Sequence, residues 1–272
     1  MNTYLIIGGT GKVGSRLAQI VRTTGHGVRI ASRTGGDVRF DWRDSTTYRA
    51  ALTGVDAVFL VGPGSATDWS SLLAEFLSVA NAEGVQRAVF LSARGVEFLP
   101  GGAVDRAEHA LRAGPLGWTI LRPTHFSQNF TEAMFVPEDG SVHAPVADGR
   151  EPFIDIEDLA EVAAAVLIDP AYAGDTVEIS GPAALGFEEA VSLLGRHADR
   201  EFTFVDEHPS LHEGRLRAAE TPEGYIAWRM AMLGGIRRGE DAYLSDGVQR
   251  VLGRPATSFG EWALREASAL SA

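Results

Sequence analysis

Cysteine is absent from all 272 residues, which removes disulfides, thiolate metal sites, iron–sulfur clusters and cysteine nucleophiles together. Lysine is nearly absent: Lys12 is the only one, so any scheme that needs an active-site lysine elsewhere is excluded. Positive charge is scarce overall, with 24 Lys+Arg against 36 Asp+Glu and a formal net charge of -12. That balance offers no basic field to a nucleic-acid backbone or an anionic membrane, and neither is expected as a partner. No apolar run approaches the ~20 residues that span a bilayer. The start lacks a basic region followed by an apolar stretch and a small-residue cleavage site, so a cytoplasmic protein is expected.

What is present is ordinary for a folded protein: 45% hydrophobic and 22% charged residues, in a chain long enough for one large α/β domain or a nucleotide domain with a smaller appendage. Short β-rich runs alternate with helical patterns over the first 123 residues. Strands are read at Tyr4–Ile7, Val28–Ala31, Val38–Phe40, Ala57–Val61, Ala88–Leu91 and Thr119–Leu121, and helices at Gly14–Thr24, Ser45–Leu52, Asp68–Ala82 and Val104–Ala113. Gly25, Gly54, Gly84 and Gly114 stand where these helices close. Ala57–Val61 and Ala88–Leu91 are apolar throughout, as strands covered on both faces must be. The alternation predicts an α/β fold of Rossmann type, a doubly wound parallel sheet with strand order 3-2-1-4-5-6.

After Pro123 the rhythm changes. Val136–Pro152 reads as polar loops, a strand follows at Phe153–Ile154, and Asp155 is placed to cap a helix over Ile156–Ile168. Thr176–Ile179 reads as a further strand, Phe187–His197 as a helix and Phe202–Val205 as a short strand. Ser258-Phe259-Gly260-Glu261 is a capping box that opens the last helix. The predicted division is a nucleotide-binding part, 1–123, and a small C-terminal α/β substrate lobe, 124–272, interleaved with the sheet edge.

Ligands of open parallel sheets bind beyond the carboxyl ends of the strands, so the residues after each strand carry the site. The first strand runs into Gly8, Thr10, Gly11, Lys12, Val13 and Gly14, with glycines at three-residue spacing and a helix behind them. Such a loop lets backbone approach a pyrophosphate while the helix N-terminus presents N–H groups and a positive dipole end. After the second strand stands Arg33, where an NAD-selective site places an acid; an arginine there accommodates a 2′-phosphate, which points to NADP(H). Asp41-Trp42 follows the third strand, as an adenine clamp or as a core tryptophan beside a helix-capping aspartate. Val61 and Gly62 follow the fourth strand, Ser92 and Ala93 the fifth, and Pro123, Thr124 and Phe126 the sixth, completing the expected cofactor contacts.

These segments resemble an NmrA-like member of the atypical short-chain dehydrogenase/reductase family. The resemblance is carried by the Gly8-to-Gly14 loop, Ala31-Ser32-Arg33, Leu91-Ser92-Ala93, Trp118-Thr119-Ile120-Leu121-Arg122-Pro123-Thr124-His125-Phe126-Ser127-Gln128-Asn129-Phe130, Phe153-Ile154-Asp155-Ile156-Glu157-Asp158-Leu159-Ala160 and Ile179-Ser180-Gly181-Pro182. It implies NADP(H) and a reductase that transfers hydride to a hydrophobic small molecule such as a quinone, an enone or an iminium. The family also holds cofactor-sensing regulators that catalyse nothing, and an isomerase or cyclase retaining the fold is a third reading. Typical members of the wider superfamily use a Tyr-x-x-x-Lys pair, and the isoflavone-reductase branch uses an active-site lysine. With Lys12 in the loop, neither arrangement exists here.

His125, just after the sixth strand, is the first candidate proton donor because its ordinary pKa lies near neutrality; the competing reading is a hydrogen-bonded structural histidine. Asn129 either orients substrate or caps a turn. His109 is read on a solvated face with Glu108 and Arg112, His143 in a loop, and Glu157 and Asp158 as structural acids at a helix start. His208 and His212 stand at i,i+4 spacing near Glu207 and Glu213, but lack a third ligand in the sequence and are read as surface histidines. No metal is expected, and the chain is read as a monomer or homodimer.

Overall fold

The computed structural model describes residues 1–266. Its main sheet is built from β1 (Thr3–Ile7), β2 (Gly27–Ser32), β3 (Val38–Arg39), β4 (Ala57–Leu60), β5 (Arg87–Leu91) and β6 (Gly117–Pro123). They lie in the order β3-β2-β1-β4-β5-β6, and each neighbouring pair is parallel. Every residue of β4 is buried, the physical counterpart of its unbroken apolar run. The connections carry α1 (Lys12–Thr23), α2 (Tyr48–Leu52), α3 (Ser70–Ala82) and α4 (Ala103–Arg112). Gly25, Gly54 and Gly84 take positive φ after their helices. Gly114 does not; there a Cβ would stand 2.8 Å from Leu77 Cδ1 of α3 and 3.1 Å from Leu111 O.

Two compact units emerge. The first comprises Met1–Ala93, Pro100–Arg122 and Leu159–Glu178; the second comprises Arg94–Leu99, Pro123–Asp158 and the chain from Ile179 onward. Leu159–Glu178 covers most of α6 (Ile156–Ile168) and of a seventh sheet strand that follows it. That strand pairs beside β6, a position the predicted order did not include. Arg87 anchors the end of α6, donating from Nη2 to the carbonyls of Leu167 at 2.8 Å and Ile168 at 3.3 Å, where a helix leaves its last carbonyls unpaired. The first unit's core is aromatic at its centre: Phe40, Trp42, Tyr48, Trp69 and Phe76 meet at ring distances of 5.0 to 6.4 Å.

The second unit adds α5 (Asn129–Glu132), β7 (Ser141–Ala144), β8 (Arg150–Glu151), and, after the seventh sheet strand β9 (Asp175–Ile179), β10 (Leu185–Gly186), α7 (Phe187–Ala198) and β11 (Thr203–Asp206). It closes with α8 (Pro209–Ala218), α9 (Glu223–Arg237), α10 (Gly247–Leu252) and α11 (Phe259–Glu266). β7 pairs with β11 in parallel and β8 with β10 antiparallel. The strand expected at Phe153–Ile154 is displaced to Arg150–Glu151. Pro152 has no N–H to continue a ladder, and Ile154 retains only an isolated bridge to Phe126. Phe153 instead joins Phe130, Phe135, Phe187 and Phe259 in the unit's core. Asp155 caps α6 as expected, accepting from the Glu157 amide at 3.1 Å. The Ser258–Glu261 box is reciprocal: the Ser258 amide donates to Glu261 Oε2 at 2.8 Å and the Glu261 amide to Ser258 Oγ at 3.2 Å. Among the described residues no helix is long and apolar enough to cross a membrane.

Candidate functional site

In the first unit the chain leaving β1 turns at Gly8, whose φ of 76° lies in the left-handed region. A Cβ on Gly14 would sit 2.3 Å from the Gly8 carbonyl oxygen and 2.8 Å from Gly9 Cα, so loop and helix meet at a distance only glycine permits. No side chain caps Gly11 at the start of α1, and no acidic residue occupies its first turn. The positive end of the helix is therefore left to an external anion.

Beside this loop lies a cavity of about 430 Å³. It brings together Gly8, Thr10, Gly11, Arg33, Asp41, Trp42, Val61 and Gly62, all singled out from the sequence, and adds Arg43. Trp42 is a core side chain that shows one edge to the cavity: it is 5% exposed, its indole N–H donates to Val61 O at 3.0 Å, and Trp69 packs 5.0 Å away. Asp41 Oδ1 accepts from the Arg43 amide at 3.0 Å and so fixes the turn that carries Arg43. Nearby Arg39 pairs with Asp44 at 3.3 Å. Arg33 and Arg43 are exposed, and among the described residues neither forms an ion pair. Two guanidinium groups without counter-ions on one cavity with a glycine loop fit a dinucleotide carrying a further phosphate. Arg43 was missed in the sequence, although it follows a strand end that had been marked through Asp41-Trp42.

The remaining candidates lie elsewhere. Lys12, Val13 and Gly14 form the first turn of α1. Ser92 donates from Oγ to Glu108 Oε1 at 2.5 Å. Glu108 is not on a solvated face: it is fully buried and also accepts from Arg122 at 2.6 Å and Arg112 at 2.9 Å. Burial alone would raise its pKa, but the bonds from Arg122 and Ser92 outweigh that and hold the carboxyl below its ordinary value. Ala93 ends a segment of the first unit. In the second unit, Pro123 accepts from the Arg94 amide at 2.9 Å, Thr124 donates from Oγ1 to Pro152 O at 2.7 Å, and Phe126 bridges Ile154. Asn129 opens α5, its amide donating to Phe126 O at 2.9 Å.

His125 stands in a cluster that the sequence did not foretell. Its Nδ1 lies 3.0 Å from Glu151 Oε1, and the same oxygen accepts from the His125 amide at 2.9 Å. Glu151 is fully buried and the imidazole 15% exposed. Donor atoms of His125, Glu151 and Asp241 all lie within 4.8 Å of one another. Arg94, 3% exposed, donates from Nε to Asp241 Oδ1 at 2.6 Å and from Nη2 to the carbonyls of Asp241 and Tyr243. Its guanidinium also lies 3.6 Å from the Tyr243 ring centre. Burial, then the Glu151 charge, pushes the Asp241 carboxyl up to about 7 against the pull of Arg94 and His125. Burial works against a charged His125, but the Glu151 charge and hydrogen bond, with Asp241, outweigh it and raise its pKa. The cluster thus gathers two acids, a histidine and one arginine largely away from water.

His212 is likewise no surface histidine; it is 2% exposed and lies 2.5 Å from Glu207. His208 instead caps α8, accepting from the Ser210 amide.

Residues 8–170 match the family described as NAD(P)H-binding. The chain belongs to this NAD(P)H-binding family of oxidoreductases. It is 34% identical over 277 residues to the oxidoreductase YesF of Bacillus subtilis, covering 98% of this chain and 96% of that one. Over 287 residues it is 28% identical to festuclavine dehydrogenase of Aspergillus fumigatus, covering 97% of each. Its fold matches that of the NADPH-dependent quinone oxidoreductase of Escherichia coli, solved as a complex with NADPH, with a TM-score of 0.80 at 19% identity over 96% of this chain and 99% of that one. The NmrA-like resemblance carried by the Gly8–Gly14 loop and Leu121-Arg122-Pro123 agrees with the family found.

Proposed function

We propose that this NAD(P)H-binding protein is an NADPH-dependent reductase acting on a hydrophobic, already polarised acceptor: a quinone, an enone or an iminium. The observation that carries the reading is the pair Arg33 and Arg43 on the glycine-loop cavity, which selects the 2′-phosphorylated dinucleotide. Gly8 and Gly14 admit its pyrophosphate, and the α1 N-terminus offers it N–H groups. Bound NADPH would supply the hydride.

His125 supplies the proton. With Nδ1 on Glu151, the ring is fixed and Nε2 is the atom left to give a proton away. A quinone or enone that has accepted hydride carries an oxyanion or enolate, and the Nε2 proton neutralises it. An iminium becomes a neutral amine on hydride addition and needs no proton. This chemistry dispenses with the tyrosine–lysine pair that a chain with Lys12 as its only lysine cannot assemble.

The test is NADPH oxidation against a panel of quinones, enones and iminium compounds, with wild type and His125→Asn. Oxidation with one class is expected, and His125→Asn should slow a quinone about 100-fold while leaving an iminium within about threefold. Tight NADPH binding with no consumption across the panel would replace the reductase by a cofactor-sensing regulator. Substrate conversion with NADPH unchanged would replace it by an isomerase or cyclase.

A further inference from the structure

The second unit contains a cavity of about 330 Å³ lined from the segment between α5 and β7, from β7, and from α8 and α9. Its size falls at the lower end of small-molecule sites, about 300–1,000 Å³. Met134, Val136 and Leu216 give it apolar lining. Arg229 from α9 lines it too.

Arg229 is half-buried and lacks what buried charges normally have. Its Nε donates to His212 Nε2 at 3.1 Å and its Nη2 to the Met134 carbonyl at 3.3 Å; Tyr225 is its third neighbour. Each of these partners is uncharged, and among the described residues no carboxylate forms an ion pair with it. The nearby acid, Glu207, is already engaged by Arg215 at 2.6 Å and by His212 Nδ1 at 2.5 Å. Burial, then Arg229 and Arg215, outweigh Glu207 and keep His212 neutral. The imidazole thus donates to Glu207, accepts from Arg229, and orients the guanidinium without neutralising it. Glu138 also lines the cavity but is exposed, where water screens it. A partly desolvated guanidinium without a counter-ion is costly unless a ligand supplies the anion.

We propose that this cavity is a carboxylate subsite: Arg229 pairs with the carboxylate of an otherwise apolar substrate whose body lies along Met134, Val136 and Leu216. The proposal deepens the reductase reading and rests on it for the word substrate, but the binding itself does not. It has a consequence for the proton donor. Glu151 and Asp241 favour the charged form of His125, and Arg229 opposes it. A carboxylate on Arg229 cancels that opposition, so substrate binding strengthens the hold of His125 on its proton.

The test uses the whole protein without cofactor, titrated by calorimetry with benzoate and with its neutral counterpart benzamide. Benzoate is expected to bind at least about tenfold more tightly than benzamide, and Arg229→Gln to abolish that difference. NMR of the histidine rings should show benzoate raising the His125 titration point in wild type and leaving it unmoved in Arg229→Gln. Absence of benzoate binding, equal binding of the two compounds, or undiminished benzoate binding in Arg229→Gln would overturn the subsite. The benzoate–benzamide comparison in wild type holds even if the variant fails to fold. A protein that discriminates benzoate yet never consumes NADPH would overturn the reductase and leave the subsite standing.

Discussion

The groove of the first unit and the charge cluster of the second are built on opposite physical terms. The groove is lined by residues between Ile7 and Pro63 and offers exposed backbone, a helix terminus and two exposed arginines. The cluster joins Arg94 to Asp241 across 147 positions, and its members are held by compensating buried charges. A surface that binds through backbone tolerates most side-chain changes but no added Cβ at its tightest point. A buried network is sensitive to the loss of a charged partner.

The largest expected effect on dinucleotide binding tests the first half of that contrast. Gly14→Ala forces a methyl to 2.3 Å from the Gly8 carbonyl oxygen; an overpacking cost of about 1–3 kcal/mol falls directly on the pyrophosphate turn. Dinucleotide affinity should drop by about 100-fold in a titration, and unchanged affinity would show that the loop is looser than its geometry.

The second half is tested by removing one buried charge at a time. Arg94→Met strips Asp241 Oδ1 and the carbonyls of Asp241 and Tyr243 of their donor and should cost about 3–5 kcal/mol in urea unfolding. Asp241→Asn should cost far less, because the wild-type carboxyl already holds its proton up to about pH 7. Equal costs would mean that the pair is fully ionised.

The same raised value fixes a pH dependence. Asp241 binds its proton more tightly folded than unfolded, its ordinary value being 3.8. Its stabilising contribution is therefore complete below about pH 4 and is lost as pH rises toward about 7. His125, also raised, loses its contribution as pH climbs through its folded value, so the two act in one direction. Wild type should lose up to a few kcal/mol between about pH 4 and pH 8, with a flatter curve in Asp241→Asn.

The contrast also explains what could be read in advance. Gly8–Gly14, Arg33, the Asp155 cap and the Ser258–Glu261 box are local patterns whose partners lie within a few residues or at the end of an adjacent strand; Gly8, Gly11 and Arg33 line one cavity, and the cap and the box form their hydrogen bonds. Arg43 was legible by the same strand-end logic and was overlooked. Glu108, placed on a solvated face, lies at the centre of three hydrogen-bonded partners because α4 turns it inward to meet Arg122 of β6. Glu151, Asp241 and Arg94 gave no signal: charge compensation between segments has no period or spacing in sequence. His212 misled for the same reason, since its neighbour Arg229 comes from the next helix.

The central claim is that the first unit selects the 2′-phosphorylated dinucleotide through Arg33 and Arg43, and parallel titration with NADPH and NADH tests it most directly. NADPH should bind at least about tenfold more tightly, each single arginine-to-alanine variant should lose about 1 kcal/mol of that preference, and the double variant should bind both dinucleotides alike. Equal affinity for the two dinucleotides in wild type would contradict the account.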